Sequence, residues 1–208
     1  MNNIKRIIFD LDNTLIPWSN DYLEAVKKAV EEYNIPKTYE EMDGAYATYE
    51  EHYNNYSYEN FRKHIKEQLG IEVALEFIKA WIEYLGDMAL PATEELIETL
   101  KYLKEKYDLA VLTNGFTASQ SKRLETAGIK EFFTSIYGSE KYNKPDARSF
   151  IEACGPYLPE ECLMIGDNLR MDYEGAINAG LKAIHYNKKE ESDGLTRVRA
   201  LSELREIL

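Results

Sequence analysis

An α/β fold with a parallel sheet and an all-helical insertion near its start is what this 208-residue sequence predicts. Three observations carry that expectation. Apolar, strand-like runs alternate with helical patterns from residue 91 onward, the signature of parallel strands joined by helices. Residues 17–90 hold helical patterns and no strand-like run. Apolar residues make up 44% of the chain and charged residues 30%, enough for a sizeable core and too balanced for global disorder.

The elements follow in order. "IKRIIFDLD" (4–12) reads as a buried strand. "NDYLEAVKKAVEEYN" (20–34) then presents Leu23, Val26, Val30 and Tyr33 along one helical face. "TYEEMDGAYATYEEHY" (38–53) opens with Thr38 and Glu41 at capping-box spacing. "SYENFRKHIKEQLG" (57–70) and "VALEFIKAWIEYLG" (73–86) each read as a helix ended by glycine. These four segments form one insertion, and Pro17 and Pro91 sit near its ends. The division expected is a core from 1–16 and 91–208, with 17–90 inserted.

Beyond Pro91, "TEELIETLKYLKEKY" (93–107) has Leu96, Leu100, Leu103 and Tyr107 at helical spacing. "LAVLTN" (109–114) is the second strand. "SQSKRLETAG" is a helix whose C′ position suits Gly128. "SIYGSE" (135–140) is a weaker strand. "DARSFIEACG" has Asp146 as N-cap and Gly155 as its stop. "LMIGD" (163–167) is a strand, "DYEGAINAG" a helix ending at Gly180, and "KAIHYN" (182–187) another weaker strand. There is no internal repeat and no low-complexity tract.

Composition narrows the function classes. A net charge of −12 argues against a nucleic-acid polymer or an anionic membrane as partner, because both need clustered Lys and Arg. A small anionic ligand stays compatible, since a site can be locally positive in an acidic chain. Cys154 and Cys162 fit no zinc or disulfide pattern and read as reduced structural thiols of a cytoplasmic protein. The first twelve residues do not read as a signal peptide, because Asp10 breaks a short apolar run. No stretch approaches the roughly 18 apolar residues of a membrane span. The sequon at Asn55 has no expected use in a chain that is not secreted. His52, His64 and His185 show no triad or ligand spacing and read as surface or packing residues. Seven insertion tyrosines (33, 39, 46, 49, 53, 56 and 58) read mainly as packing, with stacking on an aromatic ligand as the alternative.

In open α/β sheets ligands bind beyond the carboxyl ends of the strands. Residues there are Asp10, Asp12 and Thr14 after the first strand, Thr113 and Asn114 after the second, and Gly166 and Asp167 after "LMI". Asp172 follows five residues later, and Lys144 precedes Pro145 in the loop before the "DARSF" helix. Strand alternation puts Asp10 and Asp12 on one side. Unpaired buried carboxylates cost several kcal/mol as an order of magnitude or shift their pKa values. A hard divalent cation such as Mg²⁺, which takes oxygen ligands and brings in phosphate, resolves that conflict. With Lys144 and the Thr113 hydroxyl, the set makes a phosphate site in which one carboxylate can attack.

"DLDNT", "LTN", "KP" and "GDNLRMD", in that order, resemble the four motifs of the haloacid dehalogenase (HAD) superfamily, over Lys5 to about Asn187. The insertion after the first motif resembles the superfamily's helical C1 cap. The resemblance implies a Rossmann-like core and Mg²⁺-dependent phosphoryl transfer. It implies Asp10 as nucleophile, forming an aspartyl-phosphate, and Asp12 as the acid and then the base. Phosphate binding would fall to Asp10, Leu11, Asp12, Thr113, Asn114 and Lys144. Mg²⁺ would sit on the Asp10 side chain, the Asp12 carbonyl oxygen and Asp167, with Asp172 more remote or reaching it through water. Thr14 and Asn114 would orient the first-motif loop and the phosphate. Plainer readings stay open for three residues: Thr14 as a cap, Asn114 as a turn residue, and Asp172 as the N-cap of "DYEGAINAG". The third motif lacks the glycine often found before the lysine, which leaves Lys141 as a stand-in for Lys144.

The resemblance points to a phosphatase of small phosphorylated metabolites. Asp12 argues against the dehalogenases, which lack the second aspartate. "LTNGFTASQSKRLETAGI" (112–129) is similar to the second-motif segment of bacterial pyrimidine 5′-nucleotidases, so a nucleoside 5′-monophosphate is one expected substrate. Its base would stack on insertion tyrosines or Trp18. Sugar phosphates, phosphoglycolate, a phosphomutase reaction and a non-catalytic Mg²⁺- and phosphate-binding regulator are the alternatives. Monomer and homodimer are both compatible with the sequence.

Overall fold

A computed structural model describes residues 3–19, 22–53, 55–188 and 194–208. Six parallel strands form one sheet in the order β3-β2-β1-β4-β5-β6. They are β1 (Arg6–Phe9), β2 (Asp108–Leu112), β3 (Ser135–Tyr137), β4 (Cys162–Gly166), β5 (Lys182–Tyr186) and β6 (Arg197–Val198). The chain moves outward from β1 in both directions, so β1 and its neighbours β2 and β4 form the centre. Apolar runs such as Ile7–Phe9 and Leu163–Ile165 are completely buried, as strands covered on both faces must be. β1, β2, β3 and β5 are shorter than the runs that predict them, β4 is shifted by one residue, and the two-residue β6 is too short to leave a period in the sequence.

The helices between β1 and β2 are α1 (Tyr22–Glu32), α2 (Tyr39–Ala47), α3 (Tyr49–His52), α4 (Tyr58–Leu69), α5 (Leu75–Asp87) and α6 (Glu94–Lys104). Asn20 and Asp21, which open the first expected helix, lie outside the described residues. The Thr38–Glu41 capping box forms as expected, with Thr38 N–H donating to Glu41 Oε2 at 2.9 Å. The single helix expected over 38–53 is instead two. Thr48 separates them, its hydroxyl turned back on the α2 carbonyls of Gly44 and Ala45.

Residues of α1, α2, α3, α4 and α5 share an apolar cluster around Trp81, Phe77, Phe61 and Tyr49. It is distinct from the two clusters that cover the sheet. Most insertion tyrosines are packing groups of this cluster; Tyr49, for example, sits 4.7 Å from Tyr56 and 5.0 Å from Phe61, centroid to centroid. His64 is buried among them, its Nε2 3.0 Å from the Thr48 hydroxyl.

After β2 come α7 (Thr117–Thr126), α8 (Ala147–Ala153), α9 (Gly175–Asn178) and α10 (Leu204–Ile207). Phe116, just before α7, joins the insertion's cluster, so α7 faces both the sheet and the insertion. Gly86 was expected to end α5, yet it lies inside that helix. Its missing side chain has another use: a Cβ there would strike the Lys122 side chain, so Gly86 lets α5 and α7 approach closely.

Arg6 is the least expected core residue. It is nearly fully buried, and its guanidinium donates to the Ala153 carbonyl, Thr134 Oγ1 and Ser135 Oγ while pairing with Asp108. Gly155 makes room for it: its φ is +59°, and a Cβ would collide with Arg6 Nη1. Gly155→Ala is therefore expected to lower the unfolding free energy in urea by at least roughly 1–2 kcal/mol, the cost of left-handed backbone alone. An unchanged urea midpoint would refute this account of Gly155.

Candidate active site

The carboxyl ends of β1, β2 and β4 open into a cleft of about 270 Å³. Its lining includes Asp10, Asp12, Thr113, Asn114, Lys144, Asp167 and Asp172. Tertiary structure thus brings together nearly all the residues singled out in the sequence. Leu11 is buried beneath the loop, where its carbonyl accepts from the N–H groups of Leu15 and Ile16. That loop turns back sharply. Asn13 takes a left-handed φ of 59°, which asparagine tolerates, and its side chain accepts from Trp18 N–H at 3.1 Å.

Lys144 is the hub of the cleft floor. Its ammonium donates to Asp10 Oδ1 at 2.6 Å and to Asp172 Oδ1 at 2.5 Å. Burial opposes charge on this lysine, and the two carboxylates outweigh burial, so its pKa lies above the usual lysine value. Asn114 clamps the backbone of the same residue: Lys144 N–H donates to Asn114 Oδ1 at 2.9 Å, and Asn114 Nδ2 donates to the Lys144 carbonyl at 3.2 Å. Lys141 lies on the surface, paired with Glu152 at 3.0 Å, and takes no part in the cleft.

Asp10, Asp167 and Asp172 each bring a carboxylate oxygen so that all three lie within 4.8 Å of one another. Burial pushes the Asp10 carboxyl up to about 8, with Lys144 opposing and Asp172 and Asp12 adding to the rise. Asp167 is also raised, chiefly by burial and then by Asp172. Fully ionised, three carboxylates against one ammonium would leave two uncompensated negative charges in a half-closed space, which is why Asp10 and Asp167 resist ionising there without a cation. That donor set, all oxygen and doubly negative, fits a hard divalent cation.

Asp172 does not cap a helix. The helical chain starts earlier, in a wide π-type turn over Leu169–Glu174, and Asn168 caps it by accepting from Met171 N–H. Asp172 points back instead, accepting from Asn168 N–H at 3.0 Å. Gly166 permits this, since a Cβ there would overlap the Asp172 carboxylate. Thr14 accepts from Asp167 N–H at 3.1 Å and joins the first-motif loop to the end of β4.

The second aspartate differs from expectation. The sequence offers a divalent cation and Lys144 as the positive groups near Asp10 and Asp12. Lys144 serves Asp10, whereas Asp12 is met by Arg123 of α7, with Nη1 donating to Oδ2 at 3.1 Å and Nη2 to Oδ1 at 2.5 Å. Alternation along a strand does not govern Asp12, because β1 ends at Phe9 and the chain is already turning.

Two other contributors had no sequence signal. Gln120 Nε2 donates to Thr113 Oγ1 at 3.1 Å and to the Asn114 carbonyl at 3.0 Å. His185, read as surface or packing, is buried and its Nε2 donates to the Asp167 carbonyl at 2.9 Å. Helical spacing could have placed Gln120 and Arg123 on one face of α7, three residues apart, but not the face toward the cleft.

The profile of haloacid dehalogenase-like hydrolases matches residues 4–180, most of the chain. The chain belongs to that family. Among curated relatives, the glyceraldehyde 3-phosphate phosphatase of Methanothermobacter thermautotrophicus is 31% identical over 99% of this chain and 100% of its own length. The pyrimidine 5′-nucleotidase PynA of Streptococcus pneumoniae is 38% identical, but over 47% of this chain and 43% of the nucleotidase, so that match spans less than half of either protein. The N-acylneuraminate-9-phosphatase of Rattus norvegicus is 27% identical over 94% of this chain and 87% of its own. Among solved structures, the magnesium-bound HAD-hydrolase YfnB of Bacillus subtilis superposes with a TM-score of 0.67 at 25% identity, covering 99% of both chains. A 2-haloacid dehalogenase of Pseudomonas syringae reaches a TM-score of 0.76 at 23% identity, over 98% of this chain and 97% of its own, a likeness of fold. The HAD hydrolase is therefore an enzyme with phosphatases among its relatives. Its family generally uses a divalent metal, and the Asp10, Asp167 and Asp172 cluster can hold one. Among the described residues, no helix is long and apolar enough to cross a membrane.

Proposed function

We propose that this HAD hydrolase is a Mg²⁺-dependent phosphatase of small phosphate monoesters working through an aspartyl-phosphate on Asp10. The observation that carries this reading is Lys144 bridging Asp10 and Asp172 beside Asp167, at the carboxyl edge of the central strands. A halide-releasing nucleophile needs neither so many carboxylates nor a second aspartate two residues on. Asp10, Asp167 and Asp172 would hold the metal, with the Asp12 carbonyl oxygen as a further donor; once bound, it supplies positive charge next to the phosphoryl oxygens.

The protein's own groups then have separable tasks. A carboxylate oxygen of Asp10 forms the bond to phosphorus as the bond to the leaving oxygen breaks. Asp12 gives its proton to that oxygen. Water then attacks phosphorus, Asp12 takes the water's proton, and the Asp10–phosphorus bond breaks, releasing inorganic phosphate. Lys144 and the Thr113 hydroxyl donate to phosphoryl oxygens. Because Gln120 donates to the threonine oxygen, the Thr113 hydroxyl is itself a donor; it rests on the Asn114 carbonyl at 3.2 Å and would turn from there to a phosphoryl oxygen. Asn114 keeps Lys144 in reach, Thr14 joins the Asp10–Asp12 loop to Asp167, and His185 steadies Asp167 from behind. Residues 17–90 act as a helical cap over a core formed by 1–16 and 91–208, and it closes over substrate to exclude water.

Two substrate classes have specific support. A nucleoside 5′-monophosphate is favoured by the 112–129 segment and by Trp18. The indole of Trp18 is 48% exposed and stacks on Tyr22 at 4.2 Å, next to the residues that hold Asp12. A triose or other sugar phosphate is favoured by the full-length match to the glyceraldehyde 3-phosphate phosphatase. A panel of nucleotides, sugar phosphates and phosphoglycolate, assayed for phosphate release in Mg²⁺ and again in a chelator, tests the reading. Turnover that needs the metal is expected. Metal binding without turnover on any member would instead favour a non-catalytic regulator.

A further inference from the structure

We propose that Arg123 is the positioning residue that sets the place of Asp12 for proton transfer, an assignment that rests on the phosphatase reading above. Arg123 is 111 residues from Asp12 in sequence and approaches it from α7 with the planar fork of its guanidinium, one N–H to each carboxylate oxygen. Such a pair fixes the plane of the carboxylate as well as its location. Each oxygen keeps another lone pair, so the proton can still be carried and passed on.

Which partner is held and which is placed follows from burial. The Arg123 side chain is 2% exposed, whereas that of Asp12 is 28% exposed and faces the cleft. Arg123 is also tied down on its far side. Its Nε and Nη2 donate to the Tyr22 hydroxyl at 2.9 and 2.6 Å, and its Nη1 donates to Gln120 Oε1 at 2.7 Å. The guanidinium is thus immobilised first by α1 and α7, and Asp12, on a loop, takes its orientation from it.

A second feature separates this role from general charge balance. Arg123 makes no hydrogen bond to Asp10, Asp167 or Asp172, which share Lys144 and the inferred cation site. Among the described residues, Asp12 is the carboxylate with which Arg123 pairs. Through Gln120 the same helix also reaches Thr113, so one turn of α7 places both the proton-transfer group and a phosphoryl donor. Because Tyr22 belongs to α1, that arrangement is complete only with the insertion packed against α7.

The test is a leaving-group comparison in Mg²⁺. The ratio kcat/KM covers the steps up to departure of the leaving group, and an alkoxide needs a proton where an activated phenolate such as 2,4-dinitrophenolate does not. In Arg123→Met, kcat/KM for an alkyl phosphate is expected to fall by about 100-fold or more, and for 2,4-dinitrophenyl phosphate by less than about tenfold. Arg123→Lys keeps the charge and loses the fork, and is expected to shift the alkyl-to-aryl ratio in the same direction by less. If Arg123→Met does not fold, the lysine variant carries the test. An unchanged alkyl-to-aryl ratio, whatever happens to stability or to both rates together, would overturn the assignment. Should the parent protein hydrolyse neither ester, the phosphatase reading falls and this assignment with it. A parent that hydrolyses both, with variants of unchanged ratio, overturns the role of Arg123 alone.

Discussion

Replacing Asp10 by Asn is expected to abolish hydrolysis of a generic aryl phosphate, by at least about a thousandfold in kcat, while leaving the fold intact. The amide cannot form the acyl phosphate, so even a substrate with a leaving group that needs no proton should fail. The fold should survive for an electrostatic reason. Burial, opposed by Lys144 and reinforced by Asp172 and Asp12, holds the Asp10 carboxyl up to about 8 in the absence of a cation. The rise means that the cation-free site disfavours charge on Asp10, and asparagine is the neutral isostere of its protonated form. The thermal midpoint in chelator should match or exceed that of the parent. Near-normal turnover in the purified variant would remove Asp10 from its role as nucleophile.

Lys144→Met should have the second largest effect, on stability and rate together. Without the ammonium, Asp10 and Asp172 face each other buried and unpaired. Removing one partner of a buried ion pair costs roughly 3–5 kcal/mol, and the loss is expected in full when unfolding is measured in chelator. Millimolar Mg²⁺ should recover part of it, because a cation that binds only the folded carboxylate cluster adds stability by mass action. Turnover should fall on the order of 100-fold or more even in saturating metal, since a donor to the phosphoryl oxygens is gone. A variant as stable as the parent in chelator would mean that Lys144 does not compensate these carboxylates. Full activity would take it out of phosphate binding.

The parts of this molecule that were legible in the chain are those written locally. "IIFDLD" announces a buried strand that ends on carboxylates, because continuous apolar residues followed by charge leave few other placements. Thr38 with Glu41, Asp146, and the glycines at 128 and 155 mark helix ends by capping chemistry that acts over three or four residues. Gly86 misled because close helix packing also selects glycine, and no local pattern separates that use from termination. The burial of Arg6 had no local signal, because its partners Asp108, Thr134, Ser135 and Ala153 are brought to it only by the fold.

The candidate site divides in the same way. Asp10, Thr113, Lys144, Asp167 and Asp172 could be nominated from sequence because each ends a strand or lies in a loop beyond one, where an open α/β sheet exposes its ligands. Their pairing could not. That Lys144 serves Asp10 and Asp172, that Arg123 takes Asp12, and that His185 stands behind Asp167 are outcomes of long-range packing. By itself the sequence determined the alternating α/β order, the run of helices between the first two strands and the stock of carboxylates, because apolar period and capping are properties of neighbouring residues. Only the tertiary structure decided which cation meets which carboxylate. That choice depends on α7 lying between the sheet and the insertion, and electrostatic partners are selected by distance in space, not along the chain.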